Sequence, residues 1–104
     1  MLQGVIFLSN IEMPELFDEY NYTGYPFTIA VMIRELKKII DDYQAKKLTN
    51  EEVKIIISFY AKTSPEKLFD DEDPNELNIT LKRKIGKFRR IVLKSILKEI
   101  GVFQ

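Results

Sequence analysis

Apolar residues recur at helical spacing through most of the chain. Ile29, Met32, Ile33, Leu36, Ile39, Ile40 and Tyr43 share one side of a helix, with charge on the other. They predict a helix over about residues 28–46, with Thr28 as N-cap. Thr49 followed by Glu52 has the spacing of a capping box and opens a second helix over about 50–62. Val53, Ile56, Ile57 and Tyr60 form its apolar side. Ser64 and Pro65 then start a short third helix, Ser as cap and Pro at the first helical position. It carries Leu68 and Phe69 and ends at "DDEDPNE". Upstream, Pro14 with acids in the following turn predicts a short helix over about 14–20, which "NYTGYP" breaks. Val5 to Leu8 reads as an apolar arm packed on the helices. A final helix is expected from about 77 to 100, with Gly86 its single flaw. Gly costs roughly 1 kcal/mol against Ala and marks a kink, a close contact or a break. The pattern is that of an all-α fold, a compact bundle of four to five helices with an N-terminal apolar arm.

The last helix carries the feature that invites a functional reading. Of the 14 residues 81–94, seven are Lys or Arg. Placed at ~100° per residue on one continuous helix, Leu81, Ile85, Phe88, Val92 and Ile96 fall within an arc of ~80°. Arg83, Lys87, Arg90, Lys94 and Lys98 fall within a second arc of ~80° on the opposite side. Lys82 and Arg89 lie off this stripe and widen the positive surface. Ile91, Leu93, Leu97 and Ile100 make the C-terminal half apolar over most of its circumference. They are expected either deep in the bundle or at a partner interface, a homodimer through this helix included.

Charge is segregated along the sequence. Net charge is zero, but residues 1–24 carry −4, residues 25–76 carry −3 and residues 77–104 carry +7. Such segregation points to an anionic partner or to pairing between segments of the same chain. The stripe fits phosphate contact or an acidic protein partner, and it fits better a solvated face or one paired with "DDEDPNE". At 104 residues, 45% apolar and 31% charged, the chain reads as a single helical domain over 1–104. Residues 1–24 form an acidic N-terminal extension, and 77–104 a basic C-terminal helix.

Several chemistries are excluded. The chain has no Cys and no His, which removes disulfides, thiolate chemistry, a Ser-His-Asp triad and Zn sites of the usual kinds. No run approaches the ~20 apolar residues that span a bilayer, and the N-terminus lacks the charge and cleavage pattern of a signal peptide. A cytoplasmic protein without membrane attachment is expected. Asp71, Asp73 and Asn75 match the first ligands of a calcium-binding EF-hand, but Glu76 replaces the required Gly and Lys82 the required Glu. "IGK" lacks the rest of a P-loop. Asp41-Asp42 and Glu51-Glu52 are adjacent in sequence and so point apart on a helix. Tyr20, Tyr22 and Tyr25 are expected to pack the N-terminal segment onto the helices. With Gly86 as the ninth residue of a helix-turn-helix, Leu81, Ile85 and Val92 fit, whereas Lys82, Lys87 and Ser95 do not. No metal site, cofactor or catalytic residue is expected, and the chain reads as non-enzymatic.

"YPFTIAVMIRELKKIIDDY", "LTNEEV", "LFDDEDP" and "IGKFRRIVLKSIL" together resemble a family of small uncharacterised proteins of low-GC Gram-positive bacteria and their phages and mobile elements. The resemblance spans about residues 25–97. It implies a prophage or mobile-element setting and carries no activity. The leading expectation is a small accessory or regulatory protein that binds nucleic acid through Arg83, Lys87, Arg90, Lys94 and Lys98, with Lys82 and Arg89. The rival is a phage or mobile-element inhibitor of a host factor, using the apolar C-terminal helix and the acidic segments.

Overall fold

In the computed structural model the described residues are 12–103, and the Val5–Leu8 arm lies outside them. Among the described residues six helical segments follow one another: α1 (Leu16–Glu19), α2 (Ile29–Gln44), α3 (Asn50–Thr63), α4 (Pro65–Leu68), α5 (Ile79–Ile85) and α6 (Lys87–Glu99). Among the described residues the single extended feature is an isolated antiparallel bridge between Phe69 and Leu77. The fold is all-α, as the periodicity predicts.

Local signals account for the starts of the long helices. The Thr28 side chain accepts from the Val31 N–H. Thr49 and Glu52 form the full capping box, each side chain accepting the other's backbone N–H. Ser64 precedes Pro65 as expected, but its side chain makes no capping bond, and it is buried. Asn78 caps α5 by accepting from Thr80 and Leu81. Two ends differ from expectation. α2 stops at Gln44 because Lys46 adopts φ 65°, and the Lys47 N–H reaches back to the Asp42 carbonyl. The basic segment is two helices, because Gly86 at φ 88° and ψ 162° interrupts it.

α5 packs chiefly on α2 and α6 chiefly on α3. Between them lie Met32, Leu36, Ile39, Ile40, Val53, Ile56, Ile57, Tyr60, Leu81, Ile85, Leu93, Ile96 and Leu97, all at most 1% exposed. After α6, Gly101 at φ 83° turns the chain back, and the Val102 and Phe103 N–H groups donate to the Leu97 carbonyl. Phe103 then packs beside Phe69, ring centroids 5.7 Å apart.

Residues 12–24, read from the sequence as part of an acidic extension, contribute to this core. Phe17 is fully buried, 5.2 Å from Phe59 and 5.4 Å from Tyr60 between ring centroids. Tyr22 is buried and donates its hydroxyl to Asp42, while Tyr20 stacks on it and donates to Glu52. Tyr25 meets Phe59 edge-on. The tyrosines therefore pack the segment onto α2 and α3, as expected.

Glu35 of α2 is the charged residue buried beneath this segment, at 0% exposure. Its carboxylate accepts the Thr23 N–H at 2.7 Å, Arg34 Nε at 3.1 Å and Lys38 Nζ at 3.3 Å. Tyr60 completes the connection by donating to the Thr23 carbonyl. Burial pushes the Glu35 carboxyl up, but the Thr23 N–H, Arg34 and Lys38 more than offset it and hold it below the ordinary value of 4.5.

Three outcomes follow from this packing. Phe17→Ala should destabilise by about 3–5 kcal/mol in urea unfolding, whereas Phe27→Ala, at a side chain 92% exposed, should change stability by less than about 0.5 kcal/mol. Gly86→Ala should cost about 1–3 kcal/mol although nothing lies within 4 Å of an added Cβ, because that backbone region is open essentially to Gly alone. A folded-state carboxyl pKa below its unfolded value contributes stability above the unfolded value, lost as pH falls through the lowered one. The stability difference between the wild-type chain and Glu35→Gln should therefore be full above about pH 4.5 and shrink below it, as read by urea titration across pH.

Candidate nucleic-acid interface

The break at Gly86 decides which side chains of the basic segment face outward. α5 buries Leu81 and Ile85, as the continuous-helix projection predicts. α6 buries Leu93, Ile96 and Leu97. On the same projection the centre of that second set is displaced by roughly 90° from the first. Gly86 thus re-phases the helix. Phe88, projected onto the apolar arc with Leu81 and Ile85, is turned outward to 63% exposure, and Ile91 is 56% exposed. Leu93 and Leu97, considered for a partner interface, are fully buried against the chain's own core, and Ile100 packs partly against it.

The same rotation sorts the cations. Arg89 is carried towards α2 and makes a bidentate pair with Asp41, at 2.9 Å from Nε and 2.8 Å from Nη2. Its Nη1 also donates to the Ile85 carbonyl at 3.3 Å, at the last turn of α5. Arg89 therefore clamps the Gly86 junction. Lys82 and Lys94 converge on Glu76, at 3.6 and 2.9 Å. Glu76 is the final residue of "DDEDPNE", so the stripe is partly paired by the acidic turn that the sequence nominated. That turn is closed by the Asp70 N–H to the Glu76 carbonyl and the Asn75 N–H to Asp73. Among the described residues no cluster of acidic side chains is arranged to hold a metal ion.

These pairs hold the carboxylates ionised. The Arg89 guanidinium keeps Asp41 below the usual carboxylate range, and Lys94 does the same for Glu76, helped by the Leu77 N–H. The adjacent acids of α2 and α3 diverge as expected. Asp41 meets Arg89 and Asp42 meets Tyr22, while Glu51 meets Lys54 and Glu52 meets Tyr20.

For Arg83, Lys84, Lys87, Arg90 and Lys98 no ion pair is found among the described residues. Arg83, Lys84, Lys87 and Lys98 are exposed and Arg90 is half-buried. The one acid of residues 77–104, Glu99, is turned to α3, where Lys54 lies at 3.6 Å and Asn50 at 3.3 Å. α5 and α6 thus carry five cations without an ion pair and three exposed apolar side chains, Ile79, Phe88 and Ile91. Sequence reasoning missed Lys84 and Phe88 among these. Lys84 fell outside the projected stripe, and Phe88 fell on the projected core. A helix-turn-helix needs a turn of three to four residues, whereas here one residue joins the helices.

A family model for the CLB_0814 family, described as "Conserved hypothetical protein", matches residues 25–98. No curated protein and no solved structure matches the chain. No helix among the described residues is long and apolar enough to cross a membrane.

Arg89→Ala should lower stability by about 1 kcal/mol or less, since the pair it makes with Asp41 is largely solvent-exposed. It should also increase amide hydrogen exchange at the α5–α6 junction, where its second bond is lost. Lys84→Ala, at an exposed position without a pair, should leave both unchanged.

Proposed function

The chain belongs to the CLB_0814 family of conserved hypothetical proteins, and from its exposed cations we propose that it is a small non-enzymatic accessory protein that binds nucleic acid. The low-GC Gram-positive and mobile-element setting implied by the sequence resemblance belongs to the same proposal, as does a cytoplasmic location. The observation that carries it is the division of the basic segment. Arg89, Lys82 and Lys94 are engaged by Asp41 and Glu76. Arg83, Lys84, Lys87 and Lys98 are exposed and Arg90 half-buried, none of them with an ion pair among the described residues, and Glu99 is engaged by Lys54.

A polar helix face needs only solvation, and mixed charge meets that need more cheaply than one sign. Like charges one turn apart on a helix, as in Lys87 and Arg90, oppose helix formation by about 0.2–0.5 kcal/mol per pair. A face kept at that cost is suited to phosphate, where each neutralised charge releases counterions. The contacts would position the ligand through its backbone.

The rival reading, a regulator that binds a host protein, has its own support in a cleft beside α3. Glu12, Pro14, Ile55, Ser58 and Phe59 help line a cleft of about 510 Å³, and Ile55 is 47% exposed. That cleft carries no excess of one charge, and the basic face is the more distinctive surface.

Fluorescence anisotropy with a labelled 30-base-pair duplex and its single strand, at two or more salt concentrations, tests the proposal. Five phosphate contacts predict a log–log salt slope of about −4.5 on duplex and about −3.5 on a single strand. Arg83→Gln with Arg90→Gln should make the slope shallower by about two contacts' worth, with the helical circular dichroism unchanged. Absence of binding to both ligands at low salt would remove the nucleic-acid reading.

A further inference from the structure

Resting on that reading, we propose that the preferred ligand is single-stranded nucleic acid, with Phe88 as a stacking platform for a base. Phe88 stands in the first turn of α6, directly after the Gly86 break. It is 63% exposed, in a helix whose Leu93 and Leu97 are fully buried. Ile91, three residues on, is its neighbour on the helix surface and is 56% exposed. Lys98 and Lys87 lie ~80–100° round the helix from Phe88 with Ile91 between, and Lys94 and Arg90 lie farther round, ~120° and ~160° away. From Lys87 to Lys98 the cations span ~16 Å of helix axis, enough for a few nucleotides.

The aromatic side chain separates two ligands that the cations alone would not. A duplex offers phosphates to the stripe but keeps its base faces stacked inside, so Phe88 and Ile91 would meet only the backbone. A single strand offers both phosphates and free base faces. Stacking on an exposed aromatic beside a basic track is the usual arrangement for binding single strands with little sequence preference. Charge complementarity fixes the sign of the ligand, and the exposed ring fixes its strandedness.

The test uses the full chain with a labelled 12-nucleotide thymidine strand and a 12-base-pair duplex. The wild-type chain should bind the single strand at least tenfold tighter at matched salt. Phe88→Ala should lose about tenfold or more on the single strand, as expected for one stacked base, and leave duplex binding unchanged. Phe88 contributes little to the core, so this variant should keep the wild-type circular dichroism. The chain has no Trp, so Phe88→Trp supplies a unique fluorophore, whose emission should be quenched by the single strand. Equal affinity for the two ligands, with Phe88→Ala silent, would overturn the stacking inference and leave phosphate binding standing. Absence of binding to either would overturn both. A blue shift of the Trp emission on vesicles of anionic lipid, without a response to the oligonucleotide, would overturn the inference in favour of a membrane surface.

Discussion

The backbone at Gly86 sets the arrangement of everything downstream of it. A continuous helix would bury Phe88, Val92 and Ile96 together with Leu81 and Ile85. The broken one buries Leu93, Ile96 and Leu97 fully and Val92 in part. Burying a large aliphatic or aromatic side chain is worth about 1.5–3 kcal/mol. The break therefore exchanges burial of one Phe and part of a Val for burial of two leucines. Phe103, folded back over the end of α6 and bonded to the Leu97 carbonyl, adds to that balance. Only Gly holds φ 88° with ψ 162° without strain. The identity of residue 86 is thus what makes the alternative packing accessible, and the outward position of Phe88 is its direct consequence.

The ion pairs follow from the same rotation and do a different job from the core. Exposed pairs contribute little free energy, so Arg89–Asp41 and Lys94–Glu76 are weak holders of the fold. Their effect is on orientation. Arg89 ties the last turn of α5 and the body of α2 to the first turn of α6. Glu76 draws Lys82 and Lys94 from the two helices to one point. With both helices held in this relation, the remaining cations are left without ion pairs among the described residues. The acidic turn that could have neutralised the stripe instead engages one edge of it.

The elements that could be read from the sequence are those whose cause is local. Thr28, and Thr49 with Glu52, mark helix starts because a cap is satisfied within one turn, and the apolar period of α2 and α3 names their buried residues. The end of α2 was placed two residues late because Lys46 takes a left-handed conformation that is uncommon for Lys. At Gly86 the sequence allowed a kink, a contact or a break. The choice depends on which leucines α3 can receive, and that is a tertiary matter. The projection on a continuous helix therefore puts Phe88 on the core side, where the structure exposes it, and leaves Leu93 and Leu97 off that side, where the structure buries them. Arg89 and Asp41 are 48 positions apart, and no periodicity connects them. Glu35 carries no local signal of its burial, which depends on the approach of Thr23 from the N-terminal segment together with Arg34 and Lys38.

That last point separates the scaffold from the proposed ligand face. The family match begins at residue 25, yet the core beneath it is closed by Phe17 and Tyr22 and by the Thr23 backbone. Without those residues Glu35 would lose its shortest hydrogen bond, and Phe59 and Tyr60 would lose an aromatic neighbour. A buried carboxylate left with fewer partners is costlier than an exposed one, so the segment is needed for the bundle even though no charge on it reaches α5 or α6 in the pairs found. The cations of α5 and α6 are supported by α2, α3 and the 70–76 turn, away from this cover. Substitutions among Arg83, Lys84, Lys87, Arg90 and Lys98 can therefore change ligand affinity with little effect on the core. Substitutions at Glu35, Phe17 or Tyr22 would act on binding only by way of stability.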